Sequence, residues 1–112
     1  MSAKKIVLKQ IEAFNHCQLD ECLSYVSDNI LVTAIPSGDV LFSDKATLRT
    51  HLEKSFADEN FEDVEVLEII EMGNLVTTKE KKTSRKTKDS RLLLITYFVE
   101  NGQIAKMWGG LA

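Results

Sequence analysis

The sequence predicts an α+β fold, with three N-terminal helices packed on a curved, mostly antiparallel sheet. Three observations carry this. Apolar residues recur at helical spacing through most of the first sixty positions. After about residue 64 the pattern becomes that of strands punctuated by turn residues. Helices that precede a sheet in the chain bury one face of that sheet against themselves, which defines the α+β class. The length of 112 residues, with 44% hydrophobic and 28% charged content, suits one domain (1–112) around one core.

The first helix is read over 4–16, where Val7, Ile11 and Phe14 share a face at i, i+4, i+7 and Asn15-His16 ends the run. A short second helix follows, with Leu19, Cys22, Leu23 and Val26 on its apolar side and Asp28-Asn29 as its stop. Ile30 to Ile35 is β-branched and reads as a strand, and Pro36-Ser37-Gly38-Asp39 reads as a turn. Ser43 or Asp44 caps a third helix that aligns Leu48, Leu52 and Phe56. The remainder is a four-strand meander: 64–72, a Gly73-Asn74 turn, 75–82, a polar loop over 83–90, 92–99, an Asn101-Gly102 turn, and 103–108.

The longest apolar run is far too short to span a membrane, and the N-terminus lacks the apolar stretch of a signal peptide, so a cytoplasmic protein is expected, with no membrane partner. The net charge of −3 is unevenly spread. Residues 79–91 hold seven basic and two acidic side chains, while 58–71 hold seven acids. Without interleaved aromatics, the basic segment reads as a solvated hairpin tip, and no nucleic-acid partner is expected.

His16, Cys17, Asp20, Glu21 and Cys22 are metal-binding residue types crowded into one stretch. A zinc site generally needs a second ligand pair elsewhere in the chain, and the sequence has none. Each residue also has an ordinary structural role: Cys22 on an apolar face, His16 at a helix C-terminus, Asp20 at a helix N-terminus. No metal and no cofactor are expected.

Taken in order, IEAFNHCQLDECLSYVSDNILV, PSGDVLFSDKATLRTHLEKSF and TYFVENGQIAKMW resemble the nuclear transport factor 2-like superfamily, and within it the SnoaL-like and ketosteroid isomerase-like group. The resemblance implies a cone-shaped α+β barrel, commonly dimeric, with an apolar pocket at its open end. It also implies positions for the isomerase machinery. The Tyr donor falls on Gln10, the Asp base on Ala34 and the Asp donor on Leu94, so all three catalytic groups are absent and steroid isomerisation is not expected.

The leading expectation is therefore a domain that binds a small apolar molecule in a pocket lined by Gln10, Phe14, Leu52, Phe56, Leu94, Phe98 and Trp108. The alternatives are a SnoaL-like isomerase, cyclase or hydrolase using Glu80, Tyr97 or Asp28, and a dimeric association module with a filled cup. Glu80 shares strand parity with Val76 and reaches the pocket if Val76 does, although a surface ion pair is the commoner fate of such a residue. Asp28 has a competing role in capping the turn into the first strand. His51, off the Leu48–Leu52 line, reads as a helix-edge residue. The strand over 92–99 is apolar at nearly every position, so both its faces are covered. Even positions are assigned to the cup, and odd positions to a homodimer interface through the sheet.

Overall fold

The computed structural model describes residues 1–111. Along the chain come α1 (Ala3–Asn15), α2 (Leu19–Ser24), β1 (Val26–Ala34), β2 (Val40–Phe42), α3 (Lys45–Ala57), β3 (Glu62–Met72), β4 (Leu75–Ser84), β5 (Ser90–Glu100) and β6 (Gln103–Leu111). The six strands form one sheet in the order β2-β1-β6-β5-β4-β3. Every neighbouring pair is antiparallel except β1 and β6, which makes the sheet mixed. The sheet does not close into a barrel. β2 and β3 are its free edges, and the helices occupy the face that closing strands would have to enclose.

Helix α1 begins where Ser2 accepts a hydrogen bond from the Lys5 N–H, a side-chain N-cap. The carboxylate of Glu71 accepts from the Lys4 N–H at 2.8 Å, which satisfies another donor of the first turn. At the other end the Asn15 amide donates to the Val64 carbonyl and accepts from the Val64 N–H, both at 2.8 Å. That side chain stands in for a neighbouring strand on the free edge of β3. Both ends of α1 are thus fastened to β3, and Ile6, Val7 and Ile11 press onto Val76, Ile95, Tyr97, Val99 and Ile104 of the sheet.

A smaller cluster joins Ala13, Cys22, Leu23 and Leu52, with Phe14, Leu19 and Phe56 at its margin. Cys22 is a buried packing residue there. Cys17 makes the turn between α1 and α2 at φ 53°, Asp20 pairs with Arg49 at 3.1 Å, and His16 closes α1 by donating its N–H to the Glu12 carbonyl. The stretch crowded with metal-binding residue types frames the join of three helices. Among the described residues no group of three or more His, Cys, Asp or Glu side chains converges.

Three local expectations need correction. Helix α2 stops at Ser24, and the strand begins at Val26, where Val26 pairs with Ile104. Asp28 therefore lies within β1 rather than at a turn. Its side chain is 91% exposed and faces Lys45 at 3.4 Å. Between the Pro36–Asp39 turn and α3 no strand is expected, yet Val40–Phe42 forms the short edge strand β2, paired antiparallel with β1. The faces of β5 are also reversed. Ile95, Tyr97 and Val99 point to the helices, and the even positions point away.

Two charge blocks turn out to be neighbours. The acids of β3 face the bases of β4, β5 and their connecting loop: Glu65 opposite Lys81, Glu68 opposite Lys79, Arg85 on Asp63 at 2.8 Å, and Arg91 on Glu62 at 2.7 Å. Opposite charges across a ladder are mutually favourable. Asp63 is held below the usual carboxylate range chiefly by its hydrogen bonds from Arg85.

Candidate functional site

Helix α3 is capped by Asp44, whose carboxylate accepts from the Thr47 N–H at 2.7 Å, yet it buries only Leu52 in the core. The face that carries Leu48 and Leu52 instead covers a cavity of about 380 Å³ between α1, α3 and the helix side of the sheet. Cavities of this size and position hold small molecules in many folds. Phe14, Val32, Leu48, Leu52, Phe61 and Met107 make its apolar wall, and Gln10 reaches it from α1. The Gln10 amide donates to Cys22 Sγ at 3.2 Å. Burial raises the Cys22 thiol to about 11.

The lining is also polar in part, with His51, Asp58, Asn60, Glu62, Lys82 and Arg91. Arg91 is committed, since Nε and Nη2 both donate to the Glu62 carboxylate at 3.0 and 2.7 Å. Lys82 is not. Its amine lies 5.7 Å from the centroid of the Phe14 ring, a cation over a π face. Loss of water around it lowers its pKa, an effect partly opposed by Glu80.

Behind the cavity lies a buried polar cluster. Glu80 is 2% exposed, and one carboxylate oxygen accepts from both Thr78 Oγ1 and Tyr97 Oη at 2.5 Å. Burial first, and the neighbouring Glu80 charge second, push the Tyr97 hydroxyl well above its ordinary range. Glu80 thus faces the helices, as its parity with Val76 requires, but it is spent on Tyr97 and Thr78 and does not line the cavity. Of the three acid-base candidates, Glu80 and Tyr97 bond each other and Asp28 is in solvent.

Among the residues expected to form the pocket, Gln10, Phe14 and Leu52 do line the cavity, and Phe56 packs edge-on to Phe14 just behind it, ring centroids 5.6 Å apart. Leu94, Phe98 and Trp108 do not. Trp108 stands opposite Thr96, Phe98 opposite Leu75, and Leu94, 52% exposed, opposite Lys79, all on the face turned away from the helices. The isomerase position counted onto Leu94 therefore lies outside the cavity. Its inward neighbours, Leu93 and Ile95, carry no acid either. Sequence reasoning missed Lys82, although its parity with Val76, Thr78 and Glu80 was a usable signal. His51, read as a helix-edge residue, lies on the cavity rim against the Phe42 ring.

No protein-family model matches the chain, and no curated protein does. Solved structures do match along its whole length. An NTF2-like protein of unknown function from Cytophaga hutchinsonii superposes with a TM-score of 0.82 at 17% identity, over 100% of this chain and 91% of that one. A SnoaL-like polyketide cyclase from Agrobacterium tumefaciens gives 0.78 at 18% identity, over 100% and 92%. An LEH-like epoxide hydrolase from Mycobacterium tuberculosis gives 0.84 at 13% identity, over 98% and 82%. The chain has the NTF2-like fold. Among the described residues no helix is long and apolar enough to cross a membrane.

Proposed function

We propose that this domain binds a small, mostly apolar molecule in the cavity beneath α3. The supporting observation is the cavity itself: about 380 Å³, lined by aromatic and aliphatic side chains together with polar ones. Such a lining orients a guest, because the apolar side chains supply burial and the polar groups fix direction. That a polyketide cyclase and an epoxide hydrolase share the fold favours a small-molecule site here as well. The proposal stops at binding, since fold does not carry chemistry with it. The test is native mass spectrometry of the purified protein beside Leu48→Trp, which fills the cavity from α3. A small molecule retained by the parent and lost in the variant supports the reading. Equal retention by both refutes it.

A second feature favours self-association. The sheet face turned away from the helices exposes Ile70 (70%), Met72 (73%), Leu75, Leu92 and Leu94, with Phe98 and Trp108 among them. Contiguous apolar patches of this kind mark interaction surfaces. We propose a homodimer packed through this face, an isologous pair being the commonest closed arrangement.

A further inference from the structure

The inference rests on the cavity reading above and names the chemical class of the ligand. Lys82 is the charged amine of the cavity that the protein leaves without an ion-pair partner. Among the described residues it forms no ion pair, whereas Arg91 beside it is locked to Glu62 and Arg85 to Asp63. It projects from the helix-facing side of β4 opposite Val64 and Arg91, with the Phe14 ring over its amine. A lysine drawn out of water keeps more of its amine unprotonated near neutral pH, which makes it a nucleophile.

The surrounding charges narrow what it would meet. Glu62 from β3, Glu80 from β4 and Arg91 from β5 surround the amine, and Asp58 stands at the end of α3. Glu62 and Arg91 offset each other, and Asp58 is opposite in sign to Lys82, so an anionic or a cationic guest would lose its water without gaining a net counter-charge. A neutral guest with a polar end avoids that penalty, and the apolar wall suits its remainder.

We propose that Lys82 condenses with the carbonyl group of a small apolar aldehyde or ketone held in this cavity, forming an imine. The Nζ lone pair attacks the carbonyl carbon, and the C=O π pair moves to oxygen. Proton transfer from nitrogen to oxygen gives a carbinolamine. The hydroxyl then takes a second proton and leaves as water while the nitrogen lone pair forms the C=N bond. Counted from the ammonium form, one water is released, no net proton is exchanged and nothing is oxidised. The product iminium carries the charge the ammonium carried. Glu80, Glu62 and the Phe14 ring therefore face a cation before and after.

The experiment uses cinnamaldehyde with cyanoborohydride at pH 7, which reduces any imine to a stable secondary amine, followed by peptide mapping. Cinnamyl alcohol, which cannot condense, serves as the binding probe by ligand-observed NMR and as competitor. Lys82 is expected to be alkylated ahead of the other ten lysines, with about a tenfold gain in rate for each unit by which burial lowers its pKa. Its labelling should level off at lower pH than theirs, and saturating cinnamyl alcohol should suppress it. Lys82→Arg should lose the adduct at this position while labelling of the surface lysines is unchanged. If the alcohol binds but labelling follows the exposure of the surface lysines, the imine is refuted and the cavity reading stands. If the alcohol does not bind and Lys82 is unlabelled, both fall.

Discussion

Tyr97→Phe removes one oxygen from a place where a buried carboxylate depends on it. Glu80 is 2% exposed and directs one oxygen at two donors, the Tyr97 hydroxyl and Thr78 Oγ1, each at 2.5 Å. Phenylalanine keeps the ring among Ile6, Val7, Val76 and Ile104, so the packing term is small and the lost hydrogen bond dominates. A hydrogen bond to a charged group contributes about 1.5–3 kcal/mol, and with Glu80 and Tyr97 both 2% exposed the loss is not made up from solvent, so the expected loss of stability is about 1.5–3 kcal/mol. Glu80→Leu should also destabilise, because it strands the buried Tyr97 hydroxyl; Thr78 keeps a longer bond to the Ile95 carbonyl at 3.5 Å. In the double variant both sides of the bond are gone, and an apolar pair of similar volume replaces it. The double variant should therefore be more stable than the two single losses predict, by at least about 1 kcal/mol. Urea unfolding followed by Trp108 fluorescence and far-UV circular dichroism measures this. It should be run at two protein concentrations, because a dimer gains apparent stability with concentration. A Tyr97→Phe protein within about 0.5 kcal/mol of the parent, the ordinary range of surface changes, would refute the reasoning, as would simple additivity.

Two further outcomes are expected. In the folded protein at pH 8, of the two thiols only Cys17 should react promptly with a disulfide reagent, because Cys22 is fully buried and its thiol is raised to about 11; two equally fast thiols would contradict the packing assigned to Cys22. Leu94→Arg should convert the protein from dimer to monomer in sedimentation at micromolar concentration without loss of helical circular dichroism, because it places a charge in the centre of the outer sheet face; a parent protein that sediments as monomer would remove the homodimer from consideration.

What could be read from the sequence follows how one-sided each element is. Helix α1 was legible because its two faces differ: Val7 and Ile11 are in the core while Lys4, Lys5 and Lys9 are in water. The period then identifies the buried stripe without help. β5 was legible as a strand and illegible as to facing. Leu92, Leu94 and Phe98 on one side are as apolar as Leu93, Ile95 and Val99 on the other, so alternation cannot choose between them. The choice depends on which side carries α1, a long-range contact. Taking the wrong side moved Leu94, Phe98 and Trp108 into the cavity together, since cross-strand partners share a face. The apolarity of both sides was nevertheless informative, because it marks the outer patch now proposed as the dimer surface.

The basic segment shows the same limit from the opposite direction. Read as composition, Lys79-Glu80-Lys81-Lys82 is a run of surface charge. Read as a strand it alternates, with Lys79 and Lys81 exposed opposite Glu68 and Glu65 and with Glu80 and Lys82 turned toward the helices. The acids over 58–71 and the bases over 79–91 looked like two unrelated biases. They are the facing sides of one ladder, and that ladder neutralises most of the charge on the outside. Lys82 stands outside that pairing, because the strand period turns it inward where β3 opposes it with Val64 rather than an acid. An amine in that position is drawn out of water by the fold without receiving a partner from it, and this is the condition under which a lysine in a solvated run becomes the reactive group of a cavity.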